Sequence, residues 1–169
     1  RSFAVVFVYY PPWPLRRLHH QLKPMKEFFS YATGKLNVDK KLILTYAVVY
    51  FVWGVGMNYF GQYMQIARFT YWWQIITCYI LYMVPISLLL RNLPFHAQYA
   101  YGLVAMGFLE FGGYAIRSSY AYPDNILDRF FSPQNFSLGM ALFFALYFPA
   151  GNWIVGKIYS LVMGKKAEG

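Results

Sequence analysis

The stretch LILTYAVVYFVWGVGMNYFGQYM, residues 42–64, decides the fold class of this chain. It holds no charged side chain, and Lys40 and Lys41 stand directly before it. About 20 consecutive apolar residues are enough for a helix to cross the hydrocarbon core of a bilayer. The stretch therefore predicts a transmembrane helix with a basic anchor at its start.

Three more apolar stretches follow along the chain. They cover residues 69–90, 97–116 and 136–163. Glu110 is the one charged residue inside residues 97–116, and Pro149 and Asn152 interrupt the last stretch. Backbone groups in hydrocarbon must hydrogen-bond internally, so spans of this kind are helices. The sequence predicts an all-α integral membrane protein, a four-transmembrane-helix bundle over residues 42–163.

The composition agrees with a membrane protein. The chain is 59% hydrophobic and only 12% charged, whereas soluble domains carry about 25% charged residues. The net charge is +9, but the basic residues cluster near the two chain ends, where they would flank membrane spans. A solvated basic face for nucleic acid is therefore not expected, and membrane lipids and other membrane protein subunits are the expected partners.

Residues 1–41 form a basic segment that contains several prolines. Between residues 15 and 31, apolar and basic side chains alternate at spacings that give a helix two different faces. Such a helix would lie at an anionic membrane surface, with its basic residues at the head groups: Arg16, Arg17, Lys23 and Lys26. The alternative is an ordinary juxtamembrane tail.

The orientation follows from the basic residues. In the four-span arrangement, one side of the membrane holds only Arg68, Arg117 and Arg129, and every other Lys and Arg falls on the opposite side. Basic residues are retained on the cytoplasmic side. We therefore expect both termini in the cytoplasm, with residues 164–169 as a basic cytoplasmic tail.

Glu110 is the most informative single residue. A charged side chain at the bilayer centre costs about 2.5–3.5 kcal/mol on insertion scales. The carboxyl group should therefore face other helices or a wet cavity, or be protonated. Its neighbours on the same helical face, three and four positions away, are Met106, Gly107, Gly113 and Tyr114. The glycines would let another backbone or a ligand approach closely.

Two interpretations of Glu110 stay open. In the functional one it handles a proton or anchors a ligand. In the structural one it forms an interhelical hydrogen bond or contacts another subunit. The candidate partners for that bond are Asn58, Gln62, Gln74 and a tyrosine hydroxyl. Acid–base chemistry usually needs a second group, so a lone carboxyl group is a weak signal of catalysis.

Arg117 and Asp124 are the other catalytic candidates. Arg117 would lie two helical turns from Glu110. Asp124 opens a short segment between Pro123 and Pro133 that is expected to be helical, where it fits an N-cap or a first-turn acid. Asp128 lies four residues on and could share a face with Asp124. Capping and a surface ion pair with Arg129 are the favoured interpretation of these acids.

No metal site or cofactor is predicted. Cys78 is the only cysteine and lies in an apolar stretch, as expected for a small buried hydrophobe. The histidines at 19, 20 and 96 all lie outside the predicted spans, so neither haem nor zinc has ligands at membrane depth. The 17 Tyr, 16 Phe and 5 Trp are compatible with a bound lipid, quinone or carotenoid.

Three functions follow from these observations, in this order. The first is a small accessory subunit of a larger membrane complex that helps assembly and lipid or pigment packing. The second is a membrane-embedded enzyme that acts on a lipid or isoprenoid, with Glu110 as acid or base. The third is a small oligomeric transporter or channel. No catalytic motif favours the second over the first.

Overall fold

The computed structural model of the chain describes residues 15–164, with side chains from residue 25 onward apart from Gln134. Among the described residues, three helices are long and apolar enough to cross a membrane: Lys40–Tyr63, Trp73–Leu90 and Phe136–Val162. The prediction of a mostly helical chain with helices long and apolar enough to span a membrane is thereby confirmed. Residues 1–14 and most of the predicted basic tail lie outside the described residues.

Helix α1 covers Leu15–Leu36, and helix α2 covers Lys40–Tyr63. The carboxyl group of Asp39 caps α2 by accepting a hydrogen bond from the backbone N–H of Lys41 at 3.2 Å. It also accepts one from the Tyr159 hydroxyl at 3.0 Å. These two bonds, the backbone one first, hold the pKa of Asp39 below its ordinary value. Lys26, predicted at the membrane surface, is an exposed residue of α1.

Helix α3 covers Trp73–Leu90 and contains a π-helical segment, Ile76–Met83. Pro85 follows that segment and has no N–H to bond to the carbonyl group four residues before it. The wider π-helical turns therefore lie directly before the place where an α-helical hydrogen bond is missing. The predicted start of this span at residue 69 is wrong. Phe69 ends a β-strand, and the helix begins only at Trp73.

Helix α4 covers Phe95–Ala115 and is not among the three helices that meet the span criterion. Its 21 residues would extend about 31 Å at 1.5 Å each, enough to cross hydrocarbon. Gln98, Glu110 and four glycines lower its mean hydropathy. The fourth predicted crossing therefore depends on arguments other than hydropathy.

Helix α5 covers Ile126–Phe131, and a 3-10 turn, Pro133–Asn135, leads into α6, Phe136–Phe144. Helix α7, Tyr147–Val162, continues the last span after a break at Ala145 and Leu146. Pro149 explains the break because it cannot donate to the carbonyl oxygen of Ala145. The interruption expected from Pro149 thus lies one turn before the proline itself.

A small antiparallel sheet joins two of the loops. Strand β1, Ala67–Phe69, pairs with β2, Ser119–Ala121, with Arg68 opposite Tyr120. The sequence prediction did not include strands. Because β1 follows α2 and β2 follows α4, the pairing brings the C-terminal ends of these two helices to the same end of the bundle.

The two helix-to-strand turns are built alike. Gln65 and Arg117 each have a φ of +52°, the left-handed conformation that ends many helices. The next N–H in each turn bonds five residues back, Ile66 to the carbonyl of Gly61 at 2.8 Å and Ser118 to that of Gly113 at 3.0 Å. Both are Schellman turns. When the two turns are aligned with each other, Gly61 of α2 corresponds in position to Gly113 of α4.

A buried polar network ties the opposite half of the bundle together. Asn152 of α7 accepts a hydrogen bond from the Tyr46 hydroxyl at 2.7 Å and donates one to the side-chain oxygen of Gln98 at 2.7 Å. The Gln98 amide donates to the carbonyl oxygen of Leu93 at 2.7 Å. Helices α2, α4 and α7 are therefore joined through one asparagine. Nearby, the Tyr50 hydroxyl and the Ser87 Oγ lie 2.5 Å apart.

The packing of α4 against α7 predicts opposite effects for two glycines of α4. A Cβ atom at Gly102 would overlap the Phe148 ring and lie 3.2 Å from the Ala145 carbonyl oxygen, whereas one at Gly107 would meet nothing within 4 Å. Gly102→Ala should destabilise the protein by about 1–3 kcal/mol through overpacking. Gly107→Ala should be neutral, or stabilising by up to about 1 kcal/mol through helix propensity.

Thermal unfolding of the two variants in the same detergent checks this. A loss of stability at Gly107 equal to that at Gly102 would show that the face of α4 around Gly107 is packed, contrary to the described structure.

Candidate functional site

A cavity of about 400 Å³ opens between α2, the π-helical part of α3, α4, α6 and the β1–β2 sheet. Its volume falls within the range of about 300–1,000 Å³ that is usual for small-molecule sites. The apolar part of its wall includes four methionines and three phenylalanines: Met57, Met83, Met106, Met140, Phe69, Phe108 and Phe144. Methionine side chains adapt to irregular or flexible ligands, so this wall is suited to the apolar part of a flexible ligand.

Glu110 lies in the wall of this cavity and is partly buried. In the part of the chain that the structure describes, its carboxyl group forms no hydrogen bond and no ion pair. A buried or half-buried polar group without a partner is costly. The carboxyl group is therefore held at the cavity surface without internal compensation.

None of the interhelical bonds considered for Glu110 is formed in the described part of the chain, and two of the candidate amides bond to the β1–β2 region. The Asn58 side-chain oxygen accepts from the backbone N–H of Phe69 at 2.9 Å. The Gln74 side-chain oxygen accepts from the N–H of Tyr71 at 2.7 Å, and its amide donates to the Ser118 carbonyl. Both amides hold the β1–β2 region in place. Gln62 is exposed.

Asn58 and Glu110 occupy corresponding positions in the two halves of the bundle. Each lies three residues before the glycine of its Schellman turn, Gly61 or Gly113. In the same alignment of the two helices, Tyr46 corresponds in position to Gln98, and both of these side chains bond to Asn152. Asn58 therefore has the structural task of fixing a strand, while its counterpart Glu110 has none among the described residues.

Among the residues that the structure describes, Arg68 is the one basic side chain in the cavity wall. It is an exposed residue of β1, and its guanidinium carbon lies 5.1 Å from the centroid of the Tyr120 ring. This is a cation–π distance. Arg68 and Glu110 form no ion pair in the structure, so the wall has an acidic and a basic group that do not neutralise each other by contact.

The other sequence-predicted candidates lie away from the cavity. Arg117 leaves the helical face of Glu110, because α4 ends at Ala115 and Arg117 forms the left-handed turn. Asp124 is exposed, with a φ of +55°. The prediction that Asp124 caps the short helix is wrong, since Asn125 caps α5 by accepting from the N–H groups of Leu127 and Asp128.

The predicted pair of acids in this loop is also not formed. The Asp128 carboxyl group accepts a hydrogen bond from the Asn125 amide at 2.9 Å, and Asp124 lies before the helix. The residues predicted around Glu110 are divided as well. Gly113 lines the cavity, Tyr114 is exposed, and Gly107 has open space beside it.

Several wall residues were not expected from the sequence. The sequence predicts Arg68 only as a basic residue on one side of the membrane and Cys78 as a small buried hydrophobe, although both line the cavity. The four methionines gave no periodic signal that separates cavity lining from core. Pro85 was the usable signal, because a proline inside a span favours non-α turns in the preceding segment, and here that segment forms one wall.

The described residues contain no group of three or more His, Cys, Asp or Glu side chains placed to hold a metal ion. No protein-family model, curated protein or solved structure matches this chain. The function must therefore be inferred from the cavity itself.

The contrast between Asn58 and Glu110 predicts different effects on stability. Asn58→Ala leaves the N–H of Phe69 without its partner and should cost about 1–3 kcal/mol. Glu110→Gln breaks no internal bond and should change the free energy of unfolding by less than about 0.5 kcal/mol. Unfolding of the delipidated protein in detergent measures both. A Glu110→Gln loss as large as that of Asn58→Ala would instead make Glu110 a structural residue.

Proposed function

We propose that this chain is a multi-pass membrane protein that holds one amphiphilic lipid-like molecule in the Glu110 cavity, as a non-catalytic accessory subunit of a membrane complex. The observation that carries the proposal is the unpartnered carboxyl group in an otherwise largely apolar cavity. A few polar groups in an apolar wall are typical of sites for small amphiphiles. Lipids, quinones and isoprenoids all belong to this class.

The non-catalytic part of the proposal is supported by what surrounds Glu110. Arg117 and Asp124, the candidates for a second catalytic group, are both exposed and absent from the cavity wall. Acid–base catalysis needs a partner that sets geometry and proton affinity. The hydroxyl of Tyr82, another polar group of the wall, is already engaged, since it donates to the Ala105 carbonyl at 2.6 Å.

An enzyme that acts on a lipid or isoprenoid is the second candidate. It is favoured by the same free carboxyl group, which could exchange a proton with a bound substrate. In that case Glu110→Gln would abolish turnover while retaining the bound molecule. The transporter hypothesis remains a prediction of the sequence, and flux measurements in liposomes test it.

We also propose four crossings with both termini in the cytoplasm. The β1–β2 pairing supports a crossing by α4, because it brings the end of α4 beside the end of α2, while α4 begins directly after α3. The hydrogen bonds of Asp39 with Tyr159 and of Arg91 with the Lys35 carbonyl mark the other end of the bundle. Within residues 35–164, that end holds Lys35, Lys40, Lys41, Arg91 and Lys157, whereas the other end holds Arg68, Arg117 and Arg129, so it is the proposed cytoplasmic end.

Single-cysteine labelling in intact cells tests this topology. In a Cys78→Ala background, Ala121→Cys should react with a membrane-impermeant maleimide added outside, and Asn92→Cys should react only after permeabilisation. Both positions are exposed. The opposite pattern would reverse the orientation, and labelling of both positions from one side would remove the crossing by α4.

Cys78 reports directly on occupation of the cavity because it is the only cysteine and lines the wall. The delipidated protein is reconstituted into lipid nanodiscs. Addition of a total lipid extract of the source membrane should then slow alkylation of Cys78. Gly156→Cys, made in a Cys78→Ala background, is the matched control, since Gly156 is exposed and has nothing within 4 Å of its Cβ position. Equal slowing at both positions would mean that the cavity binds nothing specifically.

A further inference from the structure

The polar groups of the cavity differ in what they leave available to a ligand. The Gln74 amide uses both its oxygen and its nitrogen within the protein. The Ser118 hydroxyl donates to the Gly113 carbonyl at 3.3 Å, and the Thr77 hydroxyl donates to the Gln74 carbonyl at 3.1 Å. These groups shape the wall and offer little to an occupant.

Glu110 is different because both oxygens of its carboxyl group lack a partner among the described residues. A carboxyl group has up to four acceptor sites. Asn58 faces the same cavity, and its oxygen is used by Phe69. The Glu110 carboxyl group therefore remains an unused acceptor in this wall, whereas Asn58 has only its amide N–H groups left to offer.

We infer that the occupant is a long-chain amphiphile whose head group donates a hydrogen bond to the Glu110 carboxyl group, that is, an alcohol or an amine. The inference rests on the proposed function and names the ligand class of that site. A donor head group would satisfy the unpaired acceptor, and an apolar chain would lie along the methionine-rich wall.

A carboxylic acid is the informative competitor. Its carboxylate head group and that of Glu110 would carry the same charge and repel each other. The acid could therefore bind well only at Arg68, near the Tyr120 ring. Donor and acid head groups therefore select different anchors in the same cavity. Three probes of one chain length separate the cases: dodecanol, dodecylamine and dodecanoic acid.

The test measures how strongly each probe protects Cys78 from a thiol-alkylating reagent when the protein is in lipid nanodiscs. In the wild-type protein, the alcohol and the amine should protect at concentrations about tenfold lower than the acid, the effect expected from one charge-assisted hydrogen bond. Glu110→Leu should remove this advantage. Glu110→Gln keeps an acceptor oxygen without the charge, so it should retain protection by the alcohol and lose protection by the amine if the head group is an ammonium.

Arg68→Gln removes the opposite anchor and should weaken protection by the acid. Lys157→Gln, at an exposed basic residue outside the cavity wall, is the matched control and should leave protection by all three probes unchanged. If the acid protects as well as the alcohol, and Arg68→Gln removes that protection, the ligand class inferred here is wrong although the cavity still binds a lipid. If none of the three probes protects Cys78, the proposed lipid-binding function itself fails.

Discussion

Hydrocarbon offers no hydrogen bonds, and that constraint governs how this bundle is built. Each polar side chain between the helices must find its partner within the protein. Asn152 does so by bonding to Tyr46 and Gln98, and these bonds connect three helices. Tyr50 does so with Ser87. Where prolines remove backbone donors, the chain forms a π-helical segment or a helix break.

Among the described residues, the Tyr147 hydroxyl and the Glu110 carboxyl group are two polar groups that escape this rule. The Tyr147 hydroxyl lies beside Trp53 and Tyr79 but meets no partner at hydrogen-bonding geometry. Glu110 is the other, and it faces a cavity. Its counterpart Asn58 fixes β1. A group that is costly to bury and serves no described contact is most simply explained by a ligand that completes it.

The sequence was sufficient for the features that depend on apolar length. The helices Lys40–Tyr63 and Phe136–Val162 begin and end within about two residues of their predicted bounds. It also identified Glu110 as the residue most in need of a partner. The β1–β2 pairing was beyond it, since three-residue strands between spans leave no alternating pattern to detect.

The cavity itself was not predictable either. It depends on tertiary packing that brings Arg68, Cys78 and Glu110 to one space from three separate elements. Asn and Asp both favour the N-cap position, so the sequence alone could not decide between Asp124 and Asn125. In the structure the cap is Asn125. Arg117 left the expected face because α4 ended at Ala115, two residues before it, and Arg117 took the left-handed conformation of the turn.

The most direct test is native mass spectrometry of the wild-type chain and Glu110→Leu, each extracted gently from the source membrane. The account predicts one amphiphile bound per wild-type chain and a marked loss of that occupancy in Glu110→Leu, with unchanged folding. A wild-type chain that carries no small molecule, or a variant that carries the same molecule to the same extent, would contradict it.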